Sequence, residues 1–352
     1  MIVRRPLLAS SLASSLVAAA SASAPPFAAF HDSVKQLFGP APRLDLLLEN
    51  SDYPFAHEAA VFMPRDGALF LTSNRFTDKQ TGQPRIQITR VTLPNGTHGA
   101  ACEQVRTDHV PMANGGTNYR DGVLFCAQGT VDGSGGLAFM EASPPYRSEM
   151  LLSTFHNRPL NSPNDVVVHS DGSIWFTDPA YGYEQGFRPR PRLPPQVYRW
   201  DPRGNSIRAV ADGFGHPNGI AFSPDEKTVY VSDTNWVHGD GSKDDSRAHS
   251  IYAFDIVAYC NQPFLVNKRL FAMTDEGIPD GIKCDTFGNV YSGSGDGISI
   301  WSPGGVLLGK ILVDGGVSNF CFGRDGEMFL LGEHRLWRAQ LAPSTKGALM
   351  RM

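Results

Sequence analysis

One short motif recurs six times along this chain, and a motif that recurs so often constrains the fold more than any local propensity. Three copies are close. Pro163-Asn164-Asp165 leads into Val166-Val167-Val168, an Asp171-Gly172 turn and Ile174-Trp175-Phe176. Pro217-Asn218-Gly219 leads into Ile220-Ala221-Phe222, a Pro224-Asp225 turn and Val229-Tyr230-Val231. Pro279-Asp280-Gly281 leads into Ile282-Lys283-Cys284, a Phe287-Gly288 turn and Val290-Tyr291. Looser copies open at Glu58, at Asn114, and at Ser318 or Asn319. Each reads as a polar opening residue, an apolar strand, a tight turn and a second apolar strand.

Further strand-like pieces fill the intervals, such as Gln196–Asp201 and Ser250–Asp255. Six units of about 50 residues match a four-stranded blade, so the spacing predicts an all-β, six-bladed β-propeller. A β-sandwich would not repeat one motif six times. The turn density, with 36 Gly and 26 Pro, excludes a long helical domain.

The first residues read differently. Met1–Arg5 is basic, Leu7–Ala20 is apolar and rich in Ala and Ser, and Ala20-Ser21-Ala22 and Ala22-Ser23-Ala24 are both small-x-small cleavage patterns, the first favoured because Pro25 follows the second. This predicts a secretory leader over residues 1–24 and one propeller domain over 25–352, secreted and extracellular, with no membrane association once the leader is removed. Asn95-Gly96-Thr97 is an N-glycosylation triplet in a polar turn. The net charge is −4, with no run of five like charges, which argues against nucleic acid as a partner. Arg188, Arg190 and Arg192 alternate with Pro and read as an extended solvated loop. The five cysteines include no C-x-x-C pair. That speaks against zinc or dithiol motifs and allows one or two disulfides with a thiol left over. Oligomeric state is not readable.

In a propeller the first strand of every blade lines the central channel, so the opening residues converge on the axis. They are Glu58, Asn114, Asn164, Asn218, Asp280 and Ser318 or Asn319. Six oxygen donors, among them two carboxylates and several amides, suit a hard cation and match Ca²⁺ in charge and ligand type, with other divalent ions as alternatives. Histidine falls elsewhere. His57 precedes Glu58 on a strand, so alternation should turn it away from the channel as a packed histidine. His156, His216 and His238 lie in loops that can line a substrate mouth. Asp178 and Asp233 end strands and read as turn or supporting residues. G-x-S-x-G, H-E-x-x-H and phosphate-loop patterns are absent.

The combination of His57-Glu58, Asn161-Ser162-Pro163-Asn164-Asp165, Thr177-Asp178-Pro179, Pro217-Asn218-Gly219 and Ile278-Pro279-Asp280-Gly281 resembles the senescence-marker/gluconolactonase family of calcium propellers. The likeness runs from about Leu44 to Leu341. Phe55–Ala59 and Phe187–Tyr198 look most like its secreted fungal lactonohydrolases. The resemblance implies one catalytic divalent ion held by Glu58, Asn164, Asn218 and Asp280, and hydrolysis of a small lactone to a hydroxy acid.

On that reading the ion polarises the lactone carbonyl and a water attacks it. Asp280 is the candidate base, and Asp165 orients a ligand from behind. Asn114, Asn118 and Ser318 contact the substrate. The rivals are an esterase or phosphotriesterase on the same scaffold, a non-catalytic calcium-stabilised binding propeller, and a strictosidine-synthase-like propeller. The last would lack this ligand set.

Overall fold

The computed structural model describes residues 25–94 and 99–348; the leader-like run and the Asn95 triplet lie outside the described residues. Six four-stranded antiparallel units follow one another along the chain, as the repeat predicts. Their inner strands are Glu58–Met63, Ala113–Tyr119, Val166–Val168, Pro217–Phe222, Ile282–Cys284 and Asn319–Phe322. Each inner strand adjoins the next and the last adjoins the first, so the units close into a ring of blades numbered 1 to 6 in chain order.

The ring has no single central core. Six apolar clusters fill six seams instead, one between each neighbouring pair of blades. Ile220, Phe222, Val229 and Val231 of blade 4 meet Trp175 and Val197 of blade 3 in one of them. Leu124 and Cys126 of blade 2 meet Ile174, Phe176 and Tyr198 of blade 3 in another. A middle strand therefore buries both faces, which is why Ala68–Thr72 and Val290–Ser294 are buried throughout and show no polar alternation. A sheet buried on both sides reads as an unbroken apolar run, the pattern seen in each repeat.

The outermost strand of blade 6 comes from the other end of the chain. Arg43–Glu49 pairs antiparallel with Arg335–Gln340. Just upstream, Phe27–Ala29 adds a fifth strand to blade 5 along Leu307–Leu312. The short helix Val34–Phe38 between them buries Val34, Leu37 and Phe38 in the seam of blades 5 and 6. This N-terminal segment thus spans the outer edges of two blades.

All five cysteines are free thiols, Cys126, Cys284 and Cys321 buried and Cys102 and Cys260 exposed; no disulfide forms among the described residues. No described helix is long and apolar enough to cross a membrane. The alternating arginines differ from expectation. Arg188 is buried, and its guanidinium donates to four backbone carbonyls, those of Thr130, Gly133, Leu160 and Asn161. The extended loop folds back on the ring because this fork can satisfy several orphan carbonyls together.

The seam between blades 6 and 1 offers a test of ring closure. Phe329 of blade 6 is fully buried, with its ring centroid 5.9 Å from that of Phe62 of blade 1. Phe329→Ala should cost about 3–5 kcal/mol in denaturant unfolding, the usual range for emptying a packed aromatic site. A loss under about 1 kcal/mol would mean that this seam is loosely packed.

Candidate functional site

The opening residues of the blades form a polar collar around the axis, and their backbones are tied to one another across every seam. Thr72 Oγ1 of blade 1 donates to Asn114 O, 3.1 Å. Gly115 N of blade 2 donates to Asn164 O, 2.8 Å. Thr177 Oγ1 of blade 3 donates to Asn218 O, 2.6 Å, and Ser232 Oγ of blade 4 to Asp280 O, 2.9 Å. Gly281 N of blade 5 donates to Ser318 O, 2.9 Å, and Ser318 Oγ of blade 6 to His57 O, 2.6 Å. The circle is complete. It also explains the glycines after three collar residues: a Cβ on Gly115 or Gly219 would stand 2.4 Å from Asn164 O or Asp280 O of the next blade.

With the carbonyls of Asn114, Asn164, Asn218 and Asp280 so engaged, the side chains face a cavity of about 390 Å³, a volume suited to a small molecule. Glu58, Asn114, Asn164, Asn218 and Asp280 all line it. His57 lines it too, against the expectation that it turns away. Ala59 and Ala60 take positive φ values of 69° and 53°, and the pairing register shifts between Glu58 and Val61. His57 itself stands on a bend one residue ahead of the strand that begins at Glu58, so strand alternation does not govern it, and both residues face one cavity. His57 Nδ1 lies 2.7 Å from Glu333 Oε1, and Asn74 Nδ2 donates to both Glu333 oxygens. Burial disfavours the imidazolium, but the charge and hydrogen bond of Glu333 together with the Glu58 and Asp280 charges outweigh it and lift the His57 pKa to about 10.

The other expected residues fall elsewhere. Asp165 is fully buried and does not line the cavity. Its oxygens accept the N–H groups of Val166 and Ile220, 2.9 and 3.2 Å, so its hydrogen bonds join blade 3 to blade 4. Asn118 belongs to a different cavity, lined by the later residues of the inner strands, where its Nδ2 donates to Phe62 O at 2.9 Å. Ser318 lines a smaller neighbouring cavity that shares His57, Ile278 and Asp280 with the first. Its hydroxyl is directed at the backbone oxygens of His57 and Leu331. Asn118 and Ser318 therefore do not join the set that faces the main cavity.

The collar fits a cation by the state of its own atoms. Asn164 Oδ1 and Asp280 Oδ1 are buried with no hydrogen-bond partner, and buried oxygens left bare call for an explanation. Glu58 Oε2 receives a hydrogen bond from Asn319 Nδ2, 2.6 Å, which leaves its other oxygen free to serve. Burial pushes the Glu58 carboxyl well above the usual carboxylate range, and the nearby Asp280 charge adds to it. Burial likewise raises Asp280, with the His57 charge and the Asn218 amide working against the shift. Two desolvated carboxylates and two amides on one cavity offer the oxygen donors that suit a hard divalent ion.

Two strand-end aspartates hold the approaches to this set. Asp178 accepts the N–H groups of Asn161 and Ser162, and Asp233 those of Gly215 and His216, all at 2.9–3.0 Å. Burial lifts the Asp178 pKa to about 7 against those hydrogen bonds and the Arg188 charge. Sequence reading missed much of the cavity wall, including Arg75, Gln128, Tyr181 and Gln185. These lie on connections that the repeat does not share, so no periodic signal marks them.

Known proteins resemble this arrangement. The family described as SMP-30/Gluconolactonase/LRE-like region matches residues 58–331. Lactonohydrolase oryL of Aspergillus oryzae is 28% identical over 315 residues, which is 82% of this chain and 68% of that protein. A gluconolactonase of Zymomonas mobilis is 29% identical over 248 residues, 65% of this chain and 63% of that protein. The chain thus spans about two thirds of the length of these curated relatives. Among solved structures, a gluconolactonase from Xanthomonas campestris superposes with a TM-score of 0.71 at 28% identity, covering 91% of this chain and 96% of that one.

The raised carboxyls set the pH response of the ion-free protein. A folded-state pKa above the unfolded one means that the native state binds the extra proton, so stability falls as pH rises between the two values. For Glu58 the window runs from the ordinary 4.5 up to about 8. The thermal midpoint of chelator-treated protein should therefore drop across this window, and added Ca²⁺ should raise it more at pH 8 than at pH 5. An increment from Ca²⁺ that is the same at both pH values would refute the assignment.

Proposed function

Because the chain belongs to the SMP-30/gluconolactonase/LRE-like family, we propose that it is a calcium-dependent lactonase that opens a small lactone to a hydroxy acid. The observation that carries this reading is the pair of bare buried oxygens, Asn164 Oδ1 and Asp280 Oδ1, on residues that share one cavity with Glu58 and Asn218. These four residues would hold the ion. When bound there, calcium supplies a Lewis acid for the lactone carbonyl and for the charge of the tetrahedral intermediate.

The protein's own groups do the rest. Asp280 takes the proton of the attacking water on its other carboxylate oxygen, the one that an ion held at the bare Oδ1 leaves free. Asp165 acts at a distance, by fixing the blade 3 to blade 4 backbone on which Asn164 and Asn218 stand. Asn114 faces the cavity and binds a substrate hydroxyl. The His57–Glu333 pair keeps a positive charge beside the two acids. The leader-like residues 1–24 support export, which would put the enzyme outside the cell.

The test is hydrolysis of a lactone panel (aldonolactones, a branched γ-lactone, plain γ- and δ-lactones) followed by pH-stat, with EGTA and then with Ca²⁺ restored. Turnover that EGTA abolishes and Ca²⁺ returns supports the reading. Silence on every lactone despite calcium binding would favour an ester or phosphotriester hydrolase, or a binding platform. Asp280→Ala should lower kcat by about 10²–10⁴-fold, as expected for loss of a positioned base, and His57→Ala by much less. Equal losses would move the base to the His57–Glu333 pair.

A further inference from the structure

We propose that Glu184, His216 and His238 form a second cation site, on the wall of the same cavity, for a divalent ion that favours nitrogen ligands, with zinc as the type. The inference does not depend on the lactonase reading.

Three separate segments meet there. Glu184 ends the short helix Tyr181–Glu184 in the connection after the second strand of blade 3. His216 stands two residues before the collar residue Asn218, and His238 lies in the loop after the second strand of blade 4. One ligand atom from each falls within 4.8 Å of the other two. His216 Nε2 is 2.7 Å from Glu184 Oε1, and Glu184 Oε2 accepts Gly239 N at 2.8 Å. The His216 ring stacks on Tyr181, centroids 4.5 Å apart and planes 13° apart, and lies nearly perpendicular to the His238 ring.

His216 is 4% exposed, and the ring nitrogen it turns to the cluster is Nε2, beside Glu184 Oε1. The carboxylate is already oriented by the Gly239 N–H, the kind of outer support that ligating carboxylates carry. Two imidazoles and one carboxylate make the ligand set of an open zinc site, in which further positions go to water or substrate. His238 and Gly239 line the cavity, so the site has an entry path. The collar offers only oxygen and this wall offers mainly nitrogen, and that difference in ligand type separates the two ions chemically.

The tag-free full chain, stripped with chelator and held in excess Ca²⁺, would be titrated with Zn²⁺ by calorimetry, with retained metal measured after gel filtration. The proposal expects one zinc per chain. His238→Ala and Glu184→Gln should each weaken it by more than the roughly 10–100-fold that losing an outer partner of a ligand costs, with thermal midpoints showing that both variants fold. Zinc retention unchanged in both variants, or absent from the parent chain, overturns the proposal. So does zinc that calcium displaces and that Asn164→Ala or Asn218→Ala abolishes, since it would then belong to the collar.

Discussion

A circle of six hydrogen bonds, one across each seam, fixes the centre of this molecule. Thr72, Gly115, Thr177, Ser232, Gly281 and Ser318 each reach a backbone carbonyl of the next blade. Individually each is worth about 0.5–1.5 kcal/mol. Together they hold the opening residues level at the axis, where Glu58, Asn114, Asn164, Asn218 and Asp280 line one cavity. They also hold Glu58 and Asp280 near each other in a dry place, an arrangement two free acids would avoid. The seams supply the apolar burial that resists this repulsion, and a bound cation would remove it. Site and scaffold share the same strands, and a change that loosens a seam would also disturb the collar.

The fold was legible because every blade solves one problem in one way. An inner strand with a polar head and a doubly buried second strand leave the same trace each time, at Asn164, Asn218 and Asp280 alike. The collar was legible for the same reason, since residues in equivalent places on a ring converge. What stayed hidden depended on exceptions to the repeat. His57 escapes the alternation because it stands on a bend just ahead of its strand, and no period announces a bend. Asn118 sits on the collar's own strand, but a few residues further along it faces another cavity. Arg188 reads as solvated among prolines, yet four carbonyls draw it inside. Glu184, His216 and His238 lie 32 and 22 residues apart on unlike loops, a spacing that carries no metal signature.

The collar and the wall differ in what they can recognise. The collar is built on inner strands, where the ring dictates position and the donors are oxygens. The wall is built on connections of blades 1 to 4, where length and composition are free to vary. On the wall Arg75, Gln128, Tyr181 and Gln185 look into the cavity, and there the blades have least in common.

The N-terminal strand Arg43–Glu49 completes the last blade, and this has a bearing on how the protein is made. Nearly 300 residues separate the paired strands, so the segment synthesised first finds its partner only after the final hairpin has left the ribosome. Until then blade 6 lacks its outer strand and the seam to blade 1 stays open, with Phe62 and Leu71 uncovered. Pairings this distant form slowly, and apolar edges left waiting invite aggregation. A chain closed in this way gains little from folding blade by blade as it emerges, and depends on being kept apart from its neighbours until it is complete.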